Sequence, residues 1–342
     1  MNVLVTGGAG YIGSHATARL LRDGHHILII DNLHQGHTKA VDVLRSLAPE
    51  RVSFVRADIN QTDTISCAMR DSGIDAVMHF GALALVGESV EHPLDYYKAN
   101  VSGTASLLAA CESVGVARFV FSSSCSVYGQ PPESMIPVPE TCPFAPMSPY
   151  ARTKHMGEQL LADFAAARRR AGHEFAFVAL RYFNVCGCDP EGRLGEDHTP
   201  ETHLVPNVIN AALGRTPHVA IFGTDYPTPD GTCIRDYVHV SDLADAHARA
   251  LNVLTPTTSD AFNVGIGKGS SVREIIDAVR EVSGKDFKVI EHPRRPGDPP
   301  KLWADPTKIT SVLGWKAQHT ELRETIATAF RWFEKHPKGY AS

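Results

Sequence analysis

The chain reads as an α/β protein built on a doubly wound parallel sheet. Three features predict this: an apolar strand running into a glycine-rich loop, further apolar runs at crossover spacing, and a Tyr–Lys pair one helical turn apart. Asn2-Val3-Leu4-Val5-Thr6 is the first strand, Gly7-Gly8-Ala9-Gly10-Tyr11-Ile12-Gly13 follows at once, and a helical run extends from Ser14 to Arg22. Glycines at 8, 10 and 13 meet the three demands of a dinucleotide loop: a tight turn, close approach of backbone to a pyrophosphate, and close packing of helix on strand. Gly7 adds a second, wider frame. The next strand, His26 to Ile30, ends in Asp31, 18 residues after Gly13. A carboxylate there binds the two adenosine ribose hydroxyls and repels a phosphate, so the reading is a Rossmann-type site for NAD in preference to NADP.

Strand-like runs recur at Val52–Val55, Ala76–His79, Phe119–Ser122 and Phe175–Leu180, each separated by a helical stretch long enough for a crossover. Ligands of such sheets collect at the carboxyl ends of the strands. Asp58, Phe80-Gly81-Ala82 and Ser122-Ser123-Ser124 follow their strands and point to the edge that carries the glycine loop. Beyond about residue 183 the alternation stops, and Pro/Gly-rich loops dominate Gly187–Pro200, Gly223–Gly231 and His292–Pro300. The expected organisation is a dinucleotide-binding domain over 1–182, with 236–264 returning to it, and a smaller α/β substrate-binding domain over 183–342. Ala261–Val264 supplies the returning strand.

In Ser148-Pro149-Tyr150-Ala151-Arg152-Thr153-Lys154, Ser148 suits an N-cap and Pro149 a first helical position. Tyr150 then falls in the first turn with Lys154 one turn below on the same face. A phenol with a pKa of about 10 is a poor base, but a nearby ammonium and the positive end of a helix dipole both favour the phenolate. Tyr150 is the candidate general base. Ser124 ends its strand on the side where Tyr150 arrives.

Composition narrows the function classes. With 342 residues, 43% hydrophobic and 21% charged, the chain can bury a large core, and a net charge of -5 with mixed signs gives no basic face for nucleic acid. Arg168-Arg169-Arg170 reads as the solvated end of a helix. No apolar stretch reaches membrane length, and the amino terminus reads as a core strand, so the expected location is the cytoplasm. Seven cysteines without a paired framework read as free thiols, including Cys186-Gly187-Cys188. His25, His26, His198 and His203 form no ligand set recognisable at this level, so no metal is expected.

With the glycine loop, Asp31, Ser124 and Tyr150-x-x-x-Lys154 in one chain, the sequence resembles the extended short-chain dehydrogenase/reductase family, and within it the enzymes that epimerise UDP-hexoses at carbon 4. The likeness runs nearly end to end, through Gly87-Glu88-Ser89-Val90, Arg181-Tyr182-Phe183-Asn184, Gly195-Glu196-Asp197, Ile221–Thr228, Asp230-Gly231-Thr232, Arg235-Asp236-Tyr237 and Trp303-Ala304-Asp305. The resemblance implies NAD held by Gly7, Gly8, Gly10, Tyr11, Ile12, Gly13, Asp31, Asn32, Asp58, Ile59, Phe80, Gly81, Ala82, Asn100, Ser122, Tyr150, Lys154 and Phe183. It implies a UDP-sugar held by Ser124, Tyr150, Asn184, His203, Leu204, Phe222, Arg235, Tyr237, Arg295, Asp298 and Leu302, and a homodimer formed through a helix pair of the sheet lobe. Two arginines on a diphosphate also make chemical sense of Arg235 and Arg295 in loops.

The implied activity interconverts UDP-galactose and UDP-glucose through a 4-keto sugar, with Tyr150, Lys154 and Ser124 as the catalytic set. Three departures from the family pattern stand out: Ala84 where many members carry a lysine near the cofactor phosphates, Thr202-His203 in place of an asparagine pair, and Leu302 where relatives carry Tyr or Cys. A 4,6-dehydratase needs a carboxylic acid near Ser124, and Ser124-Cys125-Ser126 offers none. Epimerases of UDP-N-acetylglucosamine or UDP-glucuronate, differing only in sugar contacts, remain alternatives, as does a non-catalytic NAD-binding protein.

Overall fold

The structure, a computed structural model, describes residues 1–295 and 297–341. In chain order the strands are β1 (Asn2–Thr6), β2 (His26–Asp31), β3 (Val52–Arg56), β4 (Ala76–His79), β5 (Arg118–Ser122), β6 (Ala176–Tyr182), β7 (Asn184–Cys186), β8 (Val219–Phe222), β9 (Ile234–His239), β10 (Ser259–Val264), β11 (Gly269–Ser271), β12 (Val289–His292) and β13 (Lys301–Leu302). The helices are α1 (Tyr11–Arg22), α2 (Thr38–Leu47), α3 (Thr62–Asp71), α4 (Val86–Glu91), α5 (Pro93–Tyr96), α6 (Gly103–Val114), α7 (Pro149–Arg170), α8 (Leu204–Ala212), α9 (Val240–Asn252), α10 (Val272–Ser283), α11 (Thr307–Leu313) and α12 (Leu322–Lys335). Between α5 and α6 the helix continues through Tyr97–Ser102 with the wider turns of a π-helix.

Contacts divide the chain into two units. The first comprises 1–129, 144–181 and 244–262, and its sheet runs β10-β6-β5-β4-β1-β2-β3. From β3 to β6 every neighbouring pair is parallel. The strand order reverses between β1 and β4, and a doubly wound sheet opens a ligand crevice at the carboxyl ends of such a pair. Leu4, Val77, Leu107, Phe119, Phe121 and Leu161 are at most 2% exposed in its core, and each such side chain stabilises the fold by about 1.5–3 kcal/mol.

The second unit comprises 130–143, 182–243 and 263–341 of the described residues. β9 pairs with β7 and β13 in parallel and with β11 antiparallel, and β8 pairs with β12. Helices α8, α10 and α12 pack together over Val208, Ile221, Ile275, Val279, Ile326 and Trp332. Local sequence explains the sharp ends of α10: Ser271 Oγ accepts from Glu274 N at 3.0 Å while Glu274 returns a carboxylate to Ser271 N, and Gly284 closes the helix in the left-handed region.

The unit limits differ from the sequence expectation in two places. Residues 130–143 pack with the second unit, where Val138 bridges Ala304 and accepts from Asn263 Nδ2. The return to the first unit spans 244–262 instead of 236–264, because β9 lies at the centre of the second unit's sheet. Asp236 fastens it there by accepting from the backbone N–H groups of Ile266, Gly267 and Ala304.

Candidate active site

The glycine loop has the geometry of a phosphate cradle. Gly7 follows β1 with φ +70°, and a side chain there would collide with Gly81 N after β4, so the two loops at the sheet's reversal point touch. Gly13 carries the first turn of α1 against Gly7 O, where a Cβ would lie 2.2 Å away. At Gly10 a Cβ would meet only Gly7 O at 3.4 Å, so the protein itself leaves this side open and a pyrophosphate can approach the backbone. Asp31 accepts from Ala9 N and Leu33 N at 3.0 and 2.8 Å, which aims its carboxylate; burial raises its pKa against those two bonds. Asn32 donates to Asp58 at 3.1 Å, joining the ends of β2 and β3. Tyr11 and Ile12 form the first turn of α1, Ile59 packs under the start of α6, and the Phe80 ring lies 4.6 Å from that of His247. These residues fit a bound dinucleotide.

Ser148 caps α7 by accepting from Ala151 N at 3.1 Å, with Pro149 at the first helical position. Tyr150 and Lys154 therefore share one face, and both are buried. The Lys154 ammonium lies 5.9 Å from the Tyr150 ring centroid and donates to Ser122 O at 2.8 Å. Burial pushes its pKa down to about 8. Ser124, two residues after that carbonyl and 7% exposed, caps the short helical turn Cys125–Tyr128 by accepting from Ser126 N.

Beneath this face lies a chain of hydroxyls and one imidazole. Gly81 N donates to Thr6 Oγ1, which then donates to His79 Nδ1 at 2.6 Å. His79 Nε2 faces Thr104 Oγ1 at 3.2 Å, and that hydroxyl donates onward to Asn100 O. Only one tautomer satisfies all four bonds: a neutral ring protonated on Nε2. Burial first, and the Lys154 charge second, push the His79 pKa down to about 3. Asn100 lies in the π-helical stretch, and all its polar atoms bond to protein: Oδ1 accepts from Leu83 N, while Nδ2 donates to Leu83 O and Thr153 Oγ1. Its role in the structure is thus to shape the Gly81–Leu83 loop and fix it to α7, next to Lys154.

In the second unit four of the residues expected at the nucleotide come together. Arg235 Nη2 donates to Asp298 at 2.7 Å, Asp298 N donates to Arg295 O, and the Arg295 guanidinium lies 3.8 Å from the Phe222 ring centroid. Asn184 begins β7 beside Tyr237 and is exposed, and Leu302 is aligned with Arg235 on β13. Leu204 starts α8. Phe183 and Tyr237 differ from the rest: Phe183 is 4% exposed, and Tyr237 belongs to the apolar core, where burial raises its pKa.

One grouping was missed in the sequence. Glu196, His198, Glu201 and His203 bring their nitrogen and oxygen atoms within 4.8 Å of one another. His203 Nδ1 lies 2.8 Å from Glu196 and 3.2 Å from Glu201, and His198 Nδ1 lies 3.4 and 3.7 Å from the same pair. Burial opposes the charge on each imidazole, yet the carboxylates outweigh it and raise His198 to about 9 and His203 to about 10. Two imidazolium–carboxylate pairs account for the whole set. The available signal was Glu-x-His-x-x-Glu-x-His in a segment without helical or strand periodicity. None of the seven cysteines is in a disulfide.

Residues 3–265 match the NAD dependent epimerase/dehydratase family. The chain is 47% identical to a UDP-glucose 4-epimerase of Lactobacillus helveticus over 341 residues, covering 99% of each. It is 44% identical to UDP-arabinose 4-epimerase 1 of Arabidopsis thaliana over 99% of this chain and 81% of that protein. Its fold superimposes with a TM-score of 0.93, at 41% identity and 99% coverage of each chain, on a UDP-glucose 4-epimerase of Stenotrophomonas maltophila crystallised with NAD and formylated UDP-arabinopyranose.

Proposed function

Because this chain belongs to the NAD dependent epimerase/dehydratase family, we propose that it is a UDP-glucose 4-epimerase, interconverting UDP-galactose and UDP-glucose through a 4-keto sugar. The observation that carries the proposal is the Tyr150–Lys154 face of α7 with Ser122–Ser124 beside it. NAD supplies a hydride acceptor and donor for carbon 4 and is regenerated within each cycle. Tyr150, as phenolate, takes the proton of the sugar 4-hydroxyl and later returns it. Ser124 hydrogen-bonds the same oxygen. Lys154, held by the Ser122 carbonyl, favours the phenolate by its charge and reaches the cofactor ribose. Turning of the keto sugar between the two hydride transfers inverts carbon 4 with no net redox change. Arg235 and Arg295 neutralise the UDP diphosphate, Phe222 and Asn184 border the nucleotide, and Leu302 faces the sugar.

A second reading, a UDP-pentose 4-epimerase, is favoured by the plant relatives named UDP-arabinose 4-epimerases. The two differ only in the group on carbon 5, a distinction worth about 1–3 kcal/mol in an apolar pocket. A cytoplasmic homodimer is part of the proposal. No helix among the described residues is long and apolar enough to cross a membrane, and Val86, Val90 and Leu94, 50, 63 and 80% exposed, give the first unit an apolar surface for a second copy. The test is incubation of the purified protein with UDP-galactose, UDP-arabinopyranose, UDP-N-acetylgalactosamine and UDP-glucuronate, with chromatographic separation of the 4-epimers. UDP-galactose should give the highest kcat/KM. Turnover of the pentose alone would replace the first reading by the second, and turnover of none would remove both.

A further inference from the structure

A buried ion pair brackets Ser124 through the residue before it and the end of the turn after it. Glu158 follows Lys154 by one turn of α7, so Tyr150, Lys154 and Glu158 form one row. Arg181, at the end of β6, donates to Glu158 in a fork, Nε to Oε1 at 2.9 Å and Nη2 to Oε2 at 2.6 Å. Glu158 Oε1 also accepts from Ser123 Oγ at 2.5 Å. Arg181 Nη1 donates to Tyr128 Oη at 2.9 Å, and its guanidinium lies 4.6 Å from the Phe144 ring centroid. Ser123, Glu158 and Arg181 are 0, 9 and 6% exposed.

Ser123 immediately precedes Ser124, and Tyr128 closes the turn that Ser124 caps. The pair therefore grips the serine segment on both sides and ties it to the helix that carries Tyr150 and Lys154. Burying two charges is expensive, and packed apolar residues of similar volume commonly stabilise a fold as well or better. Stability alone does not account for the arrangement.

We propose that Glu158 and Arg181 are positioning residues that set the register between the Ser122–Ser124 segment and α7, so that Ser124 Oγ meets the reacting sugar oxygen and the Ser122 carbonyl holds the Lys154 ammonium beside the phenolate at the productive distance. The proposal rests on the assignment of Tyr150 and Ser124 as the reacting pair. A misplacement of about 1 Å is enough to cost on the order of 100-fold in rate.

The test uses the full-length enzyme with its retained cofactor and three variants. S123A removes one bond of the grip. The triple variant S123A/E158L/R181M replaces the polar centre by apolar groups, and Y150F is the control. Thermal midpoint, dinucleotide released on denaturation, kcat, KM and the pH profile of kcat are measured for UDP-galactose. The expected triple variant is as thermostable as wild type and retains its dinucleotide. Its kcat falls by about 10- to 100-fold, its KM changes by less than about threefold, and the acid limb of its profile is displaced. S123A should lose about three- to tenfold in kcat. Wild-type kcat in S123A, or a triple variant whose kcat follows its thermal midpoint alone, overturns the proposal. Normal turnover by Y150F would instead overturn the assignment on which it rests.

Discussion

His79 and His203 are both engaged in networks of short hydrogen bonds, and their protons behave oppositely. His79 is buried among threonine hydroxyls, and burial first, with the Lys154 charge second, pushes its pKa down to about 3 and keeps the ring neutral. His203 sits against two carboxylates, so its ring is charged and its pKa rises to about 10. Burial works against the cation fully at His79 and much less at His203, whose side chain is 46% exposed. The partners decide: dipoles that a neutral ring can satisfy in the first case, full negative charges in the second. The first unit thus keeps an uncharged layer beneath Lys154, while the second holds charge in an irregular segment that has no sheet or helix to order it.

The strongest way to break the contrast is to remove the charge that the neutral layer surrounds. Lys154→Met should lower turnover by about 100- to 10,000-fold, and Tyr150→Phe by a similar factor with folding and dinucleotide retention intact, the range for loss of a general base and its activator. Steady-state kinetics on UDP-galactose checks this. Near-normal turnover in either would mean that the first unit's charge pattern has no catalytic meaning.

A smaller effect is expected at His79. His79→Ala takes the acceptor from the buried Thr6 hydroxyl proton and one of two partners from Thr104, which still donates to Asn100 O, at a cost of about 1–3 kcal/mol for the donor left unsatisfied. Because the folded ring stays neutral while the unfolded ring protonates below about pH 6.5, the wild type loses stability toward acid pH. The deficit should therefore be constant from about pH 7.5 to pH 9 and shrink toward pH 5, as read from denaturant unfolding at several pH values. A deficit unchanged down to pH 5 would show that the folded ring takes up a proton as readily as the unfolded one.

The smallest effect belongs to His203. Its pKa and that of His198 are raised on folding, so their pairing contributes fully below the unfolded value of about 6.5. The contribution fades as pH rises through about 9 and about 10, the folded values of His198 and His203. His203 is 46% exposed in its side chain, so the gain belongs with solvent-screened pairs, about 0.2–1 kcal/mol. Unfolding of wild type and E201Q between pH 6 and pH 10.5 should reveal an alkaline decline that begins at lower pH in the variant. Identical curves would leave the carboxylates without influence on the histidines.

What could be read from the sequence was what neighbouring residues encode. The cap at Ser148, the proline after it and the Tyr150–Lys154 spacing are local, and α7 forms as they dictate. The glycine loop is legible for the same reason, since its backbone conformations and close approaches demand glycine. The Glu158–Arg181 pair was not, because its partners are 23 residues apart on different elements. Residues 130–143 carry no signal of the unit they join, since their bonds lead to 263 and 303–305. The resemblance places Tyr237 at the ligand, and the packing of its ring among the buried side chains of the second unit is visible only in the structure. The second unit's short strands were hidden because several are only two to four residues long, too few for alternation to register.

The π-helical stretch Tyr97–Ser102 is a phase shift in an otherwise continuous rod from Pro93 to Val114. Each surplus residue in a turn rotates everything on one side of it by about 100° about the axis. Asn100 meets Leu83 and Thr153 at the angle this offset provides, with α6 still seated against the sheet. Asn100 is thereby turned to the Gly81–Leu83 loop and α7 while Leu107 and Leu108 of the same rod stay in the core. The chain gives up uniform winding so that a single rod can face two surfaces at once.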